Sequence, residues 1–167
     1  MKKTLTAVLI CAAMSIPAFA QTAVVAVPDA EVLFTSPDPK LHANKQVAYN
    51  IIKVLLEANQ WDRAHEFIAD DYVQHNPNVR DGLQAVVYFF TEVVKAEPSP
   101  VPEKMSWPVV EVMAEADLVT VIYPRKGKTA DGKEYTTAWF DTWRIKDGRA
   151  VEHWDPALIN EAPNIAR

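Results

Sequence analysis

From Glu134 to Asp155 the chain reads EYTTAWFDTWRIKDGRAVEHWD. The stretch divides at Lys146-Asp147-Gly148 into two runs rich in Thr, Trp and β-branched residues, the pattern of two antiparallel strands and a tight turn. Asp-Gly permits two registers. A two-residue loop pairs Lys146 with Arg149, sets Asp141 opposite Trp154, and turns His153 and Asp155 to the other side. A type I turn with a left-handed, bulged Gly148 pairs Ile145 with Arg149 instead. Trp143 then faces Val151, Asp141 faces His153, and Trp139 faces Asp155. A one-residue slip flips every side chain, so the turn decides what the inner face holds. The bulged register is favoured because it gathers Trp139, Trp143, Ile145 and Val151 on one face. Arg144, Thr142 and Glu152 fall on the other, although Phe140 and Trp154 join them.

Upstream, the period of two persists. Val110, Val112 and Ala114 alternate with Glu111 and Glu115, and Leu118–Tyr123 is a β-branched strand. Before Pro108 the period is helical. Asp38 reads as an N-cap with Pro39 at the first helical position, followed by Leu41, Ala48, Ile51, Ile52, Leu55 and Leu56, ending near Asn59. Trp61, Ala64, Phe67 and Ile68 suggest a shorter second helix. Leu83, Val86, Val87, Phe90 and Val94 give a third. Asp70–Asp81, with Pro77 and an Asp-Gly, reads as a loop, and Glu97–Pro108 as a linker within the domain. Three helices followed by at least four hairpin-linked strands predict an α+β fold, with helices on one face of an antiparallel sheet. Alternating βαβ units, internal repeats and a Gly-rich phosphate loop are missing, which argues against a dinucleotide fold.

Composition sets the class. The 167 residues are 49% hydrophobic and 23% charged, with 12 Pro, 4 Gly and a single Cys, which excludes collagen, low-complexity disorder and a disulfide-stapled mini-protein. Met1–Ala20 reads as a cleavable secretory signal, with Lys2 and Lys3, an apolar Leu5–Ile16, and Ala18-Phe19-Ala20 before the cut. The expected location is therefore periplasmic or secreted. Cys11 falls inside the removed segment, so stability must come from a core rather than disulfides. The apolar stretch is too short to span a bilayer, and no later one is longer. Gln21–Pro37 reads as a partly extended mature leader, residues 38–162 as one domain, and 163–167 as a tail. A net charge of −5, with no basic run of four, leaves no stripe to neutralise phosphates, so neither nucleic acid nor an anionic membrane is an expected partner. The tightest basic cluster, Arg125-Lys126-Gly127-Lys128, reads as a solvated hairpin end.

The favoured register puts two carboxylates and an imidazole among indoles. Burial and a second nearby carboxylate both raise a carboxyl pKa, which suits proton transfer near neutral pH. The structural alternative is a satisfied Asp141–His153 cross-strand hydrogen bond, with Asp155 opening a turn before Pro156. The segment Tyr72-Val73-Gln74-His75-Asn76-Pro77 supplies further polar groups. The residues before Pro77 should be extended and able to close over the open end of the sheet. His42 and His65 lie on helices among charges and read as surface residues. His75, His153, Asp141 and Asp155 are suitable ligand types for zinc or iron, but only His153 and Asp155 share chelating spacing, so no metal is expected. Covalent acyl chemistry has no candidate nucleophile.

These two segments resemble a known family. Tyr72–Pro77 with Asp81-Gly82, and Asp141–Ile145 with Asp147-Gly148-Arg149 and Glu152-His153-Trp154-Asp155, look like the loop and C-terminal hairpin of SnoaL-like proteins of the nuclear-transport-factor-two superfold. The resemblance covers about Lys40 to Ala162. It implies a cone, with a curved antiparallel sheet wrapped on three helices, a deep pocket at its open end, and a homodimer through the outer sheet face. It further implies cofactor-free aldol-type chemistry with a pocket Asp as acid/base. On that basis Asp155 or Asp141 would take a proton α to a carbonyl. His75, Asn76 or His153 would donate to the enolate oxygen, and Tyr72, Gln74, Trp139 and Trp143 would help bind a small apolar or aromatic, even polycyclic, ligand. The rival reading is a non-catalytic periplasmic binding module with the same pocket.

Overall fold

Asp38 starts the first helix as its residue type predicts. Its Oδ1 accepts from the backbone N–H of Lys40 and Leu41 at 2.8 and 3.0 Å, and Pro39 occupies the first turn, where its missing N–H costs nothing. The computed structural model describes residues 22–161. The proposed signal segment Met1–Ala20, its cleavage site, Cys11 and the 163–167 tail lie outside the described residues.

Helix α1 runs Pro39–Asn50 and continues as a π-helical stretch, Ile51–Glu57, that buries Ile51, Ile52, Val54 and Leu55. A 3₁₀ segment, Trp61–Glu66, follows. The third helical unit is α2, Leu83–Tyr88, prolonged by a π segment, Phe89–Val93. The strands are β1 Ile68–Gln74, β2 Glu111–Glu115, β3 Leu118–Lys128, β4 Glu134–Lys146 and β5 Arg149–Trp154. They form one curved sheet in the order β1-β5-β4-β3-β2, antiparallel throughout except that β1 runs parallel to β5. The helices cover its concave face. Phe34, Ile52, Leu55, Val109, Val119, Val121 and Tyr123 are the most deeply buried large side chains. The α+β expectation therefore holds.

Four local expectations do not. Phe67 and Ile68 do not extend the second helix, and Asp70–Asp81 is not all loop, because β1 begins at Ile68. Asp70 and Asp71 hid this strand. They are exposed on an edge, where charge guards against stray pairing, and they interrupt the alternation that would have marked it. The leader is not simply extended. Glu31–Phe34 forms a 3₁₀ turn that buries Phe34 against the edge of Tyr49. Lys45 Nζ ties the leader down by donating to Leu33 O at 2.8 Å and Val112 O at 2.9 Å. Lys126 and Lys128 are exposed at the hairpin end as expected, but Arg125 is not. It pairs with Thr137 inside the β3–β4 ladder, lies 4.7 Å over the Trp139 ring, and forms an ion pair with Glu161.

The fourth correction is the register. Asp147 and Gly148 both have positive φ, 50° and 75°, as a two-residue type I′ turn requires, and Lys146 pairs with Arg149. Asp tolerates the left-handed region well enough for the turn to close without a bulge. The bulge lies further up the strand. Ile145 pairs with Ala150 but Arg144 pairs with Glu152, leaving Val151 as the extra residue. Beyond it Trp143 faces His153 and Thr142 faces Trp154. The expected pairings Ile145–Arg149, Trp143–Val151 and Asp141–His153 are wrong. Yet the second half of β5 has turned over once, and His153 again faces inward beside Trp143.

Candidate functional site

The inner residues of β4 and β5 meet those of β1 at one end of a cavity of about 90 Å³. Apolar walls come from Ile51, Trp61, Phe90, Trp107, Trp139 and Trp143, and the polar end from Gln74, Asn76, Asp141, His153 and Asp155. Both π-helical stretches contribute, through Ile51 and Leu56 on one and Phe89 and Phe90 on the other. Such turns widen a helix locally and recur at functional sites. Trp61 and Phe90 stack with centroids 3.9 Å apart. A cavity that holds benzene measures ~150 Å³. A polycyclic ligand is therefore too large for this one.

Hydrogen bonding orders the polar end. Gln74 Oε1 accepts from the Asn76 backbone N–H at 3.1 Å, which fixes that end of the amide as the oxygen. The same oxygen lies 2.7 Å from His153 Nδ1, so Nδ1 must carry a proton. Nε2 then faces Asp141 Oδ1 at 3.4 Å, while that oxygen already accepts from Trp139 Nε1 at 2.8 Å. A bare nitrogen lone pair and a bare carboxylate would repel across this gap. One further proton, on either partner, turns it into a hydrogen bond. Asp155 has two neutral donors, Asn76 Nδ2 at 2.7 Å and the Ala157 backbone N–H at 2.9 Å. Among the described residues neither carboxylate has a Lys or Arg in ion-pair contact.

Two tyrosines lie behind this end. Burial pushes the Tyr72 hydroxyl well above the usual tyrosine range, with the Trp143 indole offsetting part of the effect and the charges of Asp141 and Asp155 adding to it. Burial and the Asp141 charge do the same for Tyr123. Both stay neutral at physiological pH.

Of the sequence-derived candidates, Asp141, His153, Asp155, Gln74, Asn76, Trp139 and Trp143 come together at the cavity. Tyr72 is buried behind His153, ring centroids 6.5 Å apart, and does not line the cavity. His75 is a correction. Strand parity turns Tyr72, Gln74 and Asn76 inward, and so sends His75 outward. There its Nε2 lies 2.9 Å from Glu152 Oε1 and its ring stacks on Trp154. Arg144 completes an outer network to Glu152 and Asp117. The hydrogen bonds from His75 and Arg144 hold the Glu152 carboxyl below its ordinary range. Trp61, Trp107, Phe89 and Phe90 went unnoticed as site residues. They lie on short helical segments and a Pro-rich linker, where an aromatic is indistinguishable from core.

Asp141, His153 and Asp155 are also the described residues whose ligating atoms cluster, all within 4.8 Å of one another. The sequence paired only His153 with Asp155, and the cross-strand contact adds Asp141.

Comparison with known proteins agrees with this architecture. Residues 51–153 match a family described as the SnoaL-like domain. A SnoaL-like protein from Jannaschia sp. CCS1, provisionally named a polyketide cyclase, superposes with a TM-score of 0.52 at 15% identity, over 73% of this chain and 91% of that one. A provisionally named polyketide cyclase from Acidithiobacillus ferrooxidans gives 0.50 at 14% identity, over 68% and 86%. An NTF2-like protein of unknown function from Burkholderia pseudomallei K96243 gives 0.50 at 19% identity, over 68% and 88%. At these identities the likeness is one of fold. No curated protein matches the sequence.

Proposed function

Since this chain belongs to the SnoaL-like domain family, we propose that it is an exported pocket protein that performs cofactor-independent acid/base chemistry on a small carbonyl compound. The observation that carries this reading is the inward Asp141–His153 pair, which needs one proton between its facing atoms, at the polar end of an aromatic cavity. A largely buried pair that holds a proton between its facing atoms can also return it to a bound molecule. Asp141 or Asp155 removes a proton α to the carbonyl, His153 or Asn76 donates to the developing oxyanion, and the indoles exclude water. This chemistry serves aldol condensation, isomerisation and dehydration alike, and fold does not choose among them. Two names among the similar structures, both polyketide cyclases, are compatible with it.

Export rests on the Met1–Ala20 pattern, and mass spectrometry of secreted protein should find a chain beginning at Gln21. The outer sheet face, with exposed Met113 and Phe140, supports a homodimer. A binding module is the second reading, favoured by the two neutral donors that already satisfy Asp155. The discriminating experiment is solvent deuterium exchange. A panel of small ketones and aldehydes is incubated with the protein in D₂O, and label α to the carbonyl is followed by NMR. Exchange that Asp141→Asn or Asp155→Asn abolishes supports the enzyme. Exchange at the buffer rate across the panel leaves the binding module.

A further inference from the structure

Asp141, His153, Trp139 and Trp143 are all buried, so the polar end of the cavity is largely shut off from solvent. A molecule that binds there needs a covering segment that yields. Residues 156–161, which follow β5, lie across that end. Among the described residues, their hydrogen bonds and ion pair to the rest of the protein all reach the cavity lining or its immediate neighbours. Asp155 Oδ1 accepts from the Ala157 N–H at 2.9 Å. Asn78 clasps the segment from both sides. Its Nδ2 donates to Leu158 O at 3.0 Å, and its Oδ1 accepts from the Asn160 N–H at 2.6 Å. The Asn78 N–H in turn donates to Asn76 Oδ1 at 2.9 Å, and both Asn76 and Asp155 line the cavity. On the other side Glu161 pairs with Arg125, whose guanidinium covers the ring of Trp139, another lining residue. Strand parity puts Arg125 on the concave face with Val121 and Tyr123. The segment therefore bridges the end of β1 and the β4 wall.

These grips are polar. Leu158 and Ile159 are 71% and 74% exposed, and only Ala157 packs against the core. The leader is held differently, because it buries Phe34 completely. A segment with few buried apolar contacts, tied by side-chain hydrogen bonds near solvent, lies at the low end of local stability. Its fastening is also concentrated. Asn160 takes a left-handed φ of 62°, and the Glu161 N–H donates to Leu158 O at 3.0 Å, closing a tight turn. The Glu161 carboxylate accepts from the Leu158 N–H at 2.7 Å, so one side chain shapes the turn and latches it to Arg125.

We propose that residues 156–161 form a lid over the polar end of the cavity, pivoting after Pro156, latched by Asn78 and by Glu161 on Arg125, which opens to admit the ligand. The inference rests on the pocket reading above. The lid also touches the chemistry. When it lifts, Asp155 Oδ1 loses the Ala157 N–H, and the carboxylate keeps only the Asn76 amide on Oδ2. Asp155 is held from both sides only while the lid is shut.

The test is oxidation of individual indoles by N-bromosuccinimide, resolved by peptide mass spectrometry. Trp139 and Trp143 report on the cavity, and Trp154, stacked on His75 outside it, is the internal control. Glu161→Gln and Asn78→Ala each remove one latch. In both, Trp139 and Trp143 should oxidise about fivefold faster or more, Trp154 should keep its wild-type rate, and the β3–β4 amides should exchange hydrogen no faster. In the wild type, the amides of Leu158 and Asn160 should exchange before those of β5. Unchanged oxidation of both indoles overturns the lid. Acceleration at Trp139 alone overturns it too, since it marks only a displaced Arg125. So does acceleration that comes with faster β3–β4 exchange, which is unfolding. Wild-type amides at Leu158 and Asn160 as slow as those of β5 overturn it without any variant. Oxidation needs no ligand, so the lid is judged separately from the acid/base reading, which deuterium exchange decides.

Discussion

Nε2 of His153 stands 3.4 Å from Oδ1 of Asp141, two atoms from neighbouring strands whose residues are not direct partners, since His153 faces Trp143. The contact exists because Val151 is bulged out of β5 and because Gln74, from β1, holds the other ring nitrogen. Gln74 Oε1 serves two donors, so Gln74→Leu strands both the Asn76 N–H and His153 Nδ1. Its expected cost is about 1–3 kcal/mol, read from denaturant unfolding. Gln74→Glu, which keeps an acceptor in place, should recover most of it.

The turn and the bulge are separable. Gly148 has φ +75° and nothing crowds its Cα, so Gly148→Ala costs only backbone strain, about 1 kcal/mol, and should leave the cavity intact. Deleting Val151 removes only the extra residue, so Arg144 should still face Glu152 and Trp143 still face His153, with His153 kept on the inner face by a regular ladder. Unfolding measurements on the first and Trp fluorescence on the second check this. The deletion should leave Trp143, which is 3% exposed in the native protein, buried.

The outer network sets a pH dependence of known sign. Hydrogen bonds from His75 and Arg144 lower the Glu152 carboxyl in the folded state, so its contribution is present above the ordinary glutamate range of ~4.3 and is lost as pH falls through the folded value. Glu152→Gln should therefore flatten the acid limb of stability against pH while changing little at pH 7. The group is partly solvated, so the effect should stay below ~1 kcal/mol. His75→Ala should not alter ligand binding at the cavity, because its ring is stacked on Trp154 outside.

Phe140 is 42% exposed on the outer face, and Met113 is 51% exposed there. If two chains pack through this face, Phe140→Arg should convert a dimer to a monomer in sedimentation velocity, with the circular dichroism spectrum retained. A wild-type monomer at micromolar concentration would remove the dimer from the account.

The fold was legible where periodicity was clean. The Asp38 cap, the apolar run to Leu56 and the strands from Glu111 onward all carry their period openly. β1 was not, because Asp70 and Asp71 mask it and its partner lies some eighty residues away in a parallel ladder. At the site, Asp141, His153 and Asp155 were found on one face through the wrong register. Two errors cancelled, a bulge assigned to Gly148 instead of Val151 and a pairing displaced accordingly. His75 was misassigned because a loop has no parity, whereas β1 runs up to Gln74 and its alternation carries on into His75, whose N–H donates to His153 O. Trp61 and Trp107 join the cavity only through tertiary packing.

The most direct test of the account is the protonation of the two His153 ring nitrogens, read by ¹⁵N NMR and assigned by the signals lost in His153→Gln. The account predicts a proton on Nδ1 throughout the pH range in which the protein is folded. In Asp141→Asn, Nδ1 should keep its proton while Nε2 becomes a bare acceptor for the new amide. A bare Nδ1 with the proton on Nε2 alone would contradict it, since His153 and Asp141 would then form an ordinary structural hydrogen bond with no extra proton to transfer.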